Sequence, residues 1–144
     1  MIIFLDIDGV LNHENSEYGL EQSHIAQLHR LVSATNAQLV LTSTWKKQWY
    51  IDEKEKQDEY ANFLDYQLAK WNLKISDKTI DDVIDRGQGI KAYVAEHKIE
   101  QYIILDDFVF PDYDDEIKRH LILIDGKKGL QSEDVARIKN LLGN

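Results

Sequence analysis

The chain reads as an α/β protein built on an open parallel sheet, and three observations carry that reading. Four short apolar runs, Ile2–Leu5 (IIFL), Gln38–Leu41 (QLVL), Tyr102–Leu105 (YIIL) and His120–Ile124 (HLILI), have the length and continuity of strands buried on both faces. Stretches with helical periodicity separate them. The first three runs stop at acids or hydroxyls, Asp6, Thr42 and Asp106–Asp107, so polar groups collect where the strands end. Strand, helix and strand within about forty residues form a right-handed crossover unit with parallel strands. The expected architecture is a Rossmann-like open sheet with helices on both faces, residues 1–144 making one domain.

In chain order, the first strand ends at Asp6. Asp8 follows two residues later, so both acids can project to one side while Ile7 points away, and Gly9 permits a sharp turn beside them. Asn12–Leu20 is polar and irregular. From Ser23 a helix carries Ile25, Leu28, Leu31 and Val32 on one face and ends near Asn36. The second strand closes in Thr42, Ser43 and Thr44, followed by Trp45. Residues 46–60 are a charge run, read as a solvated helix face or loop. A helical pattern resumes at Tyr60, Phe63, Leu64, Gln67, Leu68 and Trp71, and the three tryptophans are read as packing residues.

Leu73–Ile80 is ambiguous, a short edge strand being one reading, and Asp81–Gly89 reads as a loop. Within that loop Arg86 lies close to the start of a helix bearing Ile90, Tyr93, Val94 and His97, where backbone N–H groups and a guanidinium can converge on an anion. After the Tyr102–Leu105 strand come Pro111 and an acidic turn, then the His120–Ile124 strand and a turn over Asp125–Gly129. Ser132 can cap a final helix with Val135, Ile138, Leu141 and Leu142.

Composition narrows the partners. A formal charge of −9 disfavours an extended nucleic-acid-binding face or attraction to anionic membranes, while leaving room for a local basic pocket that binds one phosphate. The absence of cysteine excludes disulfides, thiolate metal sites and a cysteine nucleophile, and fits a reducing cytoplasm. Asp6 interrupts the N-terminal apolar run after Leu5, so no signal core forms, and no stretch approaches the ~20 apolar residues of a membrane span. A soluble cytoplasmic protein is expected.

In an open parallel sheet, ligands bind outside the carboxyl ends of the strands, which is where Asp6, Asp8, Thr42, Asp106 and Asp107 should gather. A lone Asp-Gly is usually only a turn. Several carboxylates with a hydroxyl in one crevice instead call for a hard cation, and Mg²⁺ held jointly with substrate suits them better than a closed Ca²⁺ cage.

Asp6-Ile-Asp8-Gly9-Val10 resembles the first motif of the haloacid dehalogenase (HAD) superfamily of phosphotransferases; Thr42 resembles the second and Asp106–Asp107 the fourth. Arg86 stands for the basic third motif, usually Lys, with Lys91 as competitor. The short form, with LTSTW after the second strand and ILDD before LILIDGKKGL, is similar to small HAD domains associated with RNA repair proteins. Motif order separates the chain from receiver domains, where the phosphoaccepting Asp comes later, and from Toprim domains, where a Glu precedes D-x-D.

The resemblance implies a Mg²⁺-dependent phosphatase. Asp6 would attack phosphorus and form an aspartyl-phosphate, and Asp8 would act as general acid and base. The metal set would be Asp6, the Asp8 main-chain carbonyl and the Asp106–Asp107 pair, with Asp107 favoured as direct ligand. Gly9, Thr42, Ser43, Arg86 and Lys91 are the candidate substrate contacts. Arg86 is preferred over Lys91 as the third-motif cation because five residues rotate a helical side chain by about 140°, and a residue flanked by Gly87 can turn its fork toward a phosphate. Only Asn12–Leu20 and about 40 residues after Trp45 are free to form a cap, so little or no cap domain is expected. That openness admits a small phosphorylated molecule or a nucleic-acid end. The five histidines are scattered, and only His13 lies beside the first motif. The alternative is a HAD-like binding or assembly module without turnover.

Overall fold

The computed structural model describes residues 1–16, 19–81 and 85–143. β1 (Ile2–Leu5), β2 (Gln38–Leu41), β3 (Ile75–Lys78), β4 (Tyr102–Asp106) and β5 (Leu121–Leu123) form an all-parallel sheet in the order β3-β2-β1-β4-β5. β1 is central. From it the chain winds outward through β2 and β3, then crosses back to β4 on the other side, so the sheet reverses its winding between β1 and β4. The crevice of a doubly wound sheet opens at such a reversal, outside the carboxyl ends.

The pleat divides the apolar residues between two layers. Ile3, Leu5, Leu39, Leu41, Ile103 and Leu105 face α1 (Gln22–Thr35), α2 (Glu59–Ala69) and α5 (Ser132–Leu141). Ile2, Phe4, Val40 and Ile104 face α3 (Arg86–Glu96) and α4 (Asp115–His120). Every residue of β1 is buried, as the continuous run requires, and Phe4 packs edge-on against Tyr93 and Tyr102 at 5.7 and 5.6 Å. Helices thus cover both faces. No helix among the described residues is long and apolar enough to cross a membrane.

Three expectations about elements need correction or completion. The ambiguous Leu73–Ile80 stretch contains the edge strand β3. The Asp81–Gly89 loop is shorter than expected, because α3 begins at Arg86; residues 82–84 of that stretch lie outside those described. The acidic turn before β5 is largely helix α4, and His120 closes that helix instead of opening the strand. Its causes are local: Asp114 accepts from the Ile117 N–H at 3.0 Å, acids fill the first turn, and Lys118, Arg119 and His120 fill the last, matching the helix dipole. Between β2 and β3 the chain holds two short 3₁₀ helices, η1 (Thr44–Gln48) and η2 (Lys54–Lys56), besides α2. That connection leaves no separate cap among the described residues.

Candidate active site

Sheet hydrogen bonding continues one residue beyond the strands and aligns the polar groups. Asp6 N–H donates to Leu105 O (3.0 Å), Thr42 N–H to Leu5 O (2.9 Å) and Thr79 N–H to Leu41 O (3.1 Å). Thr79, Thr42, Asp6 and Asp106 therefore stand in one row across the carboxyl edge. The parallel register that pairs Leu5 with Leu105 brings the nucleophile candidate beside the acidic pair.

Asp6, Asp106 and Asp107 offer carboxylate oxygens within 4.8 Å of one another. Asp6 and Asp106 are buried, and Asp107 is half-buried. Arg86, itself 4 % exposed, sets Nη1 3.3 Å from Asp6 Oδ1 and 2.9 Å from Asp106 Oδ2. Its guanidinium carbon lies 4.1 Å from the centre of the Phe110 ring, which seals it from water. Burial pushes the Asp6 carboxyl well above the usual carboxylate range, and the charge of Asp106 pushes it further, against the opposing pull of Arg86. Burial raises Asp107 as well.

The two members of the acidic pair have different surroundings. Asp106 is fully buried and held by three donors: Arg86 and the Tyr113 hydroxyl (2.9 Å each) on Oδ2, and the Phe108 N–H (3.1 Å) on Oδ1. Burial and the neighbouring Asp106 charge hold the Tyr113 hydroxyl firmly protonated, so it stays a donor. Asp107 instead reaches into a cradle of two glycines. A Cβ at Gly9, whose φ is +84°, or at Gly126 would overlap its carboxylate.

The remaining candidates divide. Thr42 is buried, and its Oγ1 has no hydrogen-bond partner among the described residues; Arg86 Nε is likewise buried and without a partner among them. Asp8 is exposed and does not join the acid cluster, because its carboxylate accepts from Asn12 Nδ2 (2.9 Å) and Trp45 Nε1 (3.3 and 3.2 Å). Ser43 is buried, and its hydroxyl caps η1 by accepting from Trp45 N–H at 3.2 Å. The Gly9 N–H is already donated to Asn12 Oδ1 at 2.8 Å, so this glycine serves by leaving room for Asp107.

Lys91 stays outside the cluster, paired with Asp114 on the surface between α3 and α4. Arg86 precedes it by five residues, enough to put the two on different faces. Arg86 also proves to be the first residue of α3, not a loop residue turning freely. The N–H groups expected to meet an anion there are taken by the protein itself, since Gly87 and Gln88 donate to Asp112 at 3.0 and 2.9 Å.

Several residues were hidden from the sequence. Asn12, Tyr113 and Gly126 carry no motif of their own, and they act through partners that only folding supplies. Lys46 sits in the charge run yet is buried, where its ammonium pairs with Asp81 and donates to Thr79 Oγ1 at 2.9 Å. A solvated reading fails there because its counter-ion lies 35 residues ahead. Trp49 is a packing residue as expected, 1 % exposed, whereas Trp45 also donates to Asp8.

A family model described as "HAD domain in Swiss Army Knife RNA repair proteins" matches residues 2–135. Neither a curated protein nor a solved structure matches the chain. The matched span contains the Asp6–Asp8 segment, Thr42, Arg86 and the Asp106–Asp107 pair in the order that the resemblance requires. The chain therefore belongs to the family of HAD domains of Swiss Army Knife RNA repair proteins.

Proposed function

We propose that this protein is a Mg²⁺-dependent phosphatase that hydrolyses a phosphomonoester through an aspartyl-phosphate on Asp6. The observation that carries the reading is the convergence of three carboxylates within 4.8 Å of one another, two of them on the Arg86 guanidinium, beside a buried hydroxyl that has no partner among the described residues. Three negative charges and one positive leave an excess that a divalent cation would balance. Burial first, and the charge of Asp106 after it, raise the Asp6 and Asp107 carboxyls, so a cation seated among them would favour their ionised forms. At about 4 Å each like pair costs on the order of 4 kcal/mol at an effective dielectric near 20.

The donor set fits Mg²⁺. Asp6, Asp107 and the Asp8 main-chain carbonyl would hold it, all hard oxygen ligands, with places left for water and phosphate. Asp106 is better suited to orientation, since protein donors already occupy both of its oxygens. A bound divalent cation supplies charge relief for the attack of an anion on an anion.

This chain's own residues do the rest. Asp6 attacks phosphorus in line while the bond to the leaving oxygen breaks, and Asp8 gives that oxygen a proton. Asp8 then takes a proton from the water that cleaves the aspartyl-phosphate, releasing phosphate and restoring Asp6. Thr42 Oγ1 and Arg86 Nε, both without partners among the described residues, are suited to meet phosphoryl oxygens. A small phosphorylated molecule or a nucleic-acid end would enter from the open edge of the sheet.

Hydrolysis of p-nitrophenyl phosphate and of phosphorylated metabolites, nucleotides and oligonucleotide ends, with and without Mg²⁺, tests the reading. Mg²⁺-dependent release of phosphate is expected; no turnover of any of them leaves a binding module. Two variants probe single groups. Asp107→Ala is expected to raise the Mg²⁺ concentration for half-activation at least about tenfold, with little change in the metal-free melting temperature; an unaltered Mg²⁺ titration would remove Asp107 from the ligand set. Thr42→Val breaks no hydrogen bond among the described residues, so its melting temperature should stay level or rise. Its KM should increase about five- to tenfold, in line with one lost hydrogen bond of ~1 to 1.5 kcal/mol, and an unchanged KM would show that the hydroxyl does not touch substrate.

A further inference from the structure

We propose that Trp45 is a positioning residue: its indole N–H, together with Asn12, holds the Asp8 carboxylate out of the acid cluster and aims it at the leaving group. The inference rests on the reading of Asp8 as general acid and base. A carboxylate two residues from Asp6 on an exposed turn has two rotatable bonds and no burial to fix it. Left alone it could swing toward the same cation as Asp6 and Asp107 and spend its charge as a ligand. Donors on the opposite side prevent that.

Those donors come from two separate elements. Asn12 Nδ2 reaches Asp8 Oδ1 at 2.9 Å and is itself tied to Gly19 O at 2.8 Å, while Trp45 Nε1 spans both Asp8 oxygens at 3.3 and 3.2 Å. An indole can only donate, so the contact favours one orientation of the carboxylate.

The surroundings of Trp45 are built to hold that N–H in place. Ser43 Oγ caps the start of η1. The next residue, Lys46, is pinned below the surface by Thr79 and Asp81, which follow β3. At the far end, buried Trp49 donates to Asp65 of α2 at 2.9 Å. The indole of Trp45 also meets the Tyr60 ring edge-on at 5.9 Å. Three anchors fix a five-residue turn, and this indole is what the turn presents to the Asp8 carboxylate. The buried Lys46–Asp81 pair, which the proposed chemistry does not use, thereby has a function: it locks the turn that carries Trp45.

A merely structural tryptophan and a positioning one differ in what their loss does to different leaving groups. p-Nitrophenolate departs without a proton, whereas phenolate is a poorer leaving group that gains from protonation by Asp8. The test is kcat/KM for p-nitrophenyl phosphate and phenyl phosphate, with Mg²⁺, in wild type, Trp45→Phe and Asp8→Asn. kcat/KM reports the steps through formation of the aspartyl-phosphate, so later hydrolysis does not mask the effect. Taking the ratio of the two substrates within one preparation cancels any inactive fraction.

Trp45→Phe keeps the ring against Tyr60 and removes only the donor. It is expected to lower kcat/KM for phenyl phosphate about tenfold and for p-nitrophenyl phosphate no more than about twofold, a partial version of the split expected for Asp8→Asn. Equal losses on both esters in Trp45→Phe, with the split intact in Asp8→Asn, overturn the positioning role and leave the phosphatase reading standing. An Asp8→Asn variant without a split, or a wild type that turns over only the nitrophenyl ester, overturns the acid role of Asp8 and this inference with it, whereas a wild type that turns over neither ester nor any other phosphomonoester overturns the phosphatase reading on which both rest.

Discussion

Asp6→Asn should lose at least about a thousandfold in turnover of p-nitrophenyl phosphate with Mg²⁺ present, because the amide is no nucleophile toward phosphorus and cannot accept the phosphoryl group. The same variant should be more stable than wild type when metal is withheld. Burial, and then the charge of Asp106, hold the Asp6 carboxyl above its unfolded value, so over the interval between the two values the native state binds more proton than the unfolded chain. Stability attributable to this group therefore falls as pH rises from the unfolded value through the folded value, and the penalty is complete above the folded value.

An amide removes that penalty, while Asp106 remains 2.9 Å from Arg86 to keep the guanidinium paired. The melting temperature in chelator at neutral pH is expected to rise by about 2 to 5 °C for each kcal/mol recovered. The advantage should shrink on acidification and vanish below about pH 4, where the wild-type carboxyl is neutral in both states. Mg²⁺ should reverse the order by stabilising wild type alone. Retained turnover would refute Asp6 as nucleophile, and a variant less stable than wild type in chelator would refute the charge argument.

Arg86→Ala combines two large effects. The guanidinium bridges Asp6 and Asp106 inside the protein, and removing one partner of a buried pair typically costs about 3 to 5 kcal/mol, since it strands the other charge. Denaturant unfolding should register that loss. Catalysis should fall as well, by at least about tenfold in kcat/KM at a temperature where the variant is folded, in line with ~1.5 to 3 kcal/mol for a charge-assisted hydrogen bond. Arg86→Lys should recover part of the activity by restoring the charge without the fork. Lys91→Ala is the control, expected to leave kcat/KM unchanged because its ammonium is occupied by Asp114 on the surface. A greater loss of activity in Lys91→Ala than in Arg86→Ala would reverse the assignment of the third-motif cation.

What the sequence determined by itself was the sheet and the row of groups along its active edge. Apolar runs such as Ile2–Leu5 and Tyr102–Leu105 are buried on both faces of a parallel sheet, and a strand's end is a local event, so Asp6, Thr42 and Asp106 could be placed in one row from sequence alone. α1 and the final helix were equally legible from their apolar stripes, and the resemblance of Asp6-Ile-Asp8-Gly9-Val10 to the first motif needed no tertiary contact to be noticed. Local signals were also enough to place Arg86 and Lys91 on different faces of α3.

The division of labour among these residues was decided only by the tertiary structure, because it depends on partners far along the chain. Asp106 and Asp107 are neighbours of identical chemistry, and nothing local distinguishes them. Tyr113 and Arg86 donate to one, while Gly9 and Gly126 make room for the other. Asp8 and Asp6 look alike in D-x-D, yet Trp45, 37 residues on, holds one of them outward. Lys46 was read as solvated because a charge run ordinarily is. Burial reversed that through Thr79 and Asp81, since a charge leaves water only where the fold returns an opposite charge and a hydrogen bond. Periodicity records which side of an element is apolar, whereas pairing energies between distant polar groups exist only once the chain has closed on itself.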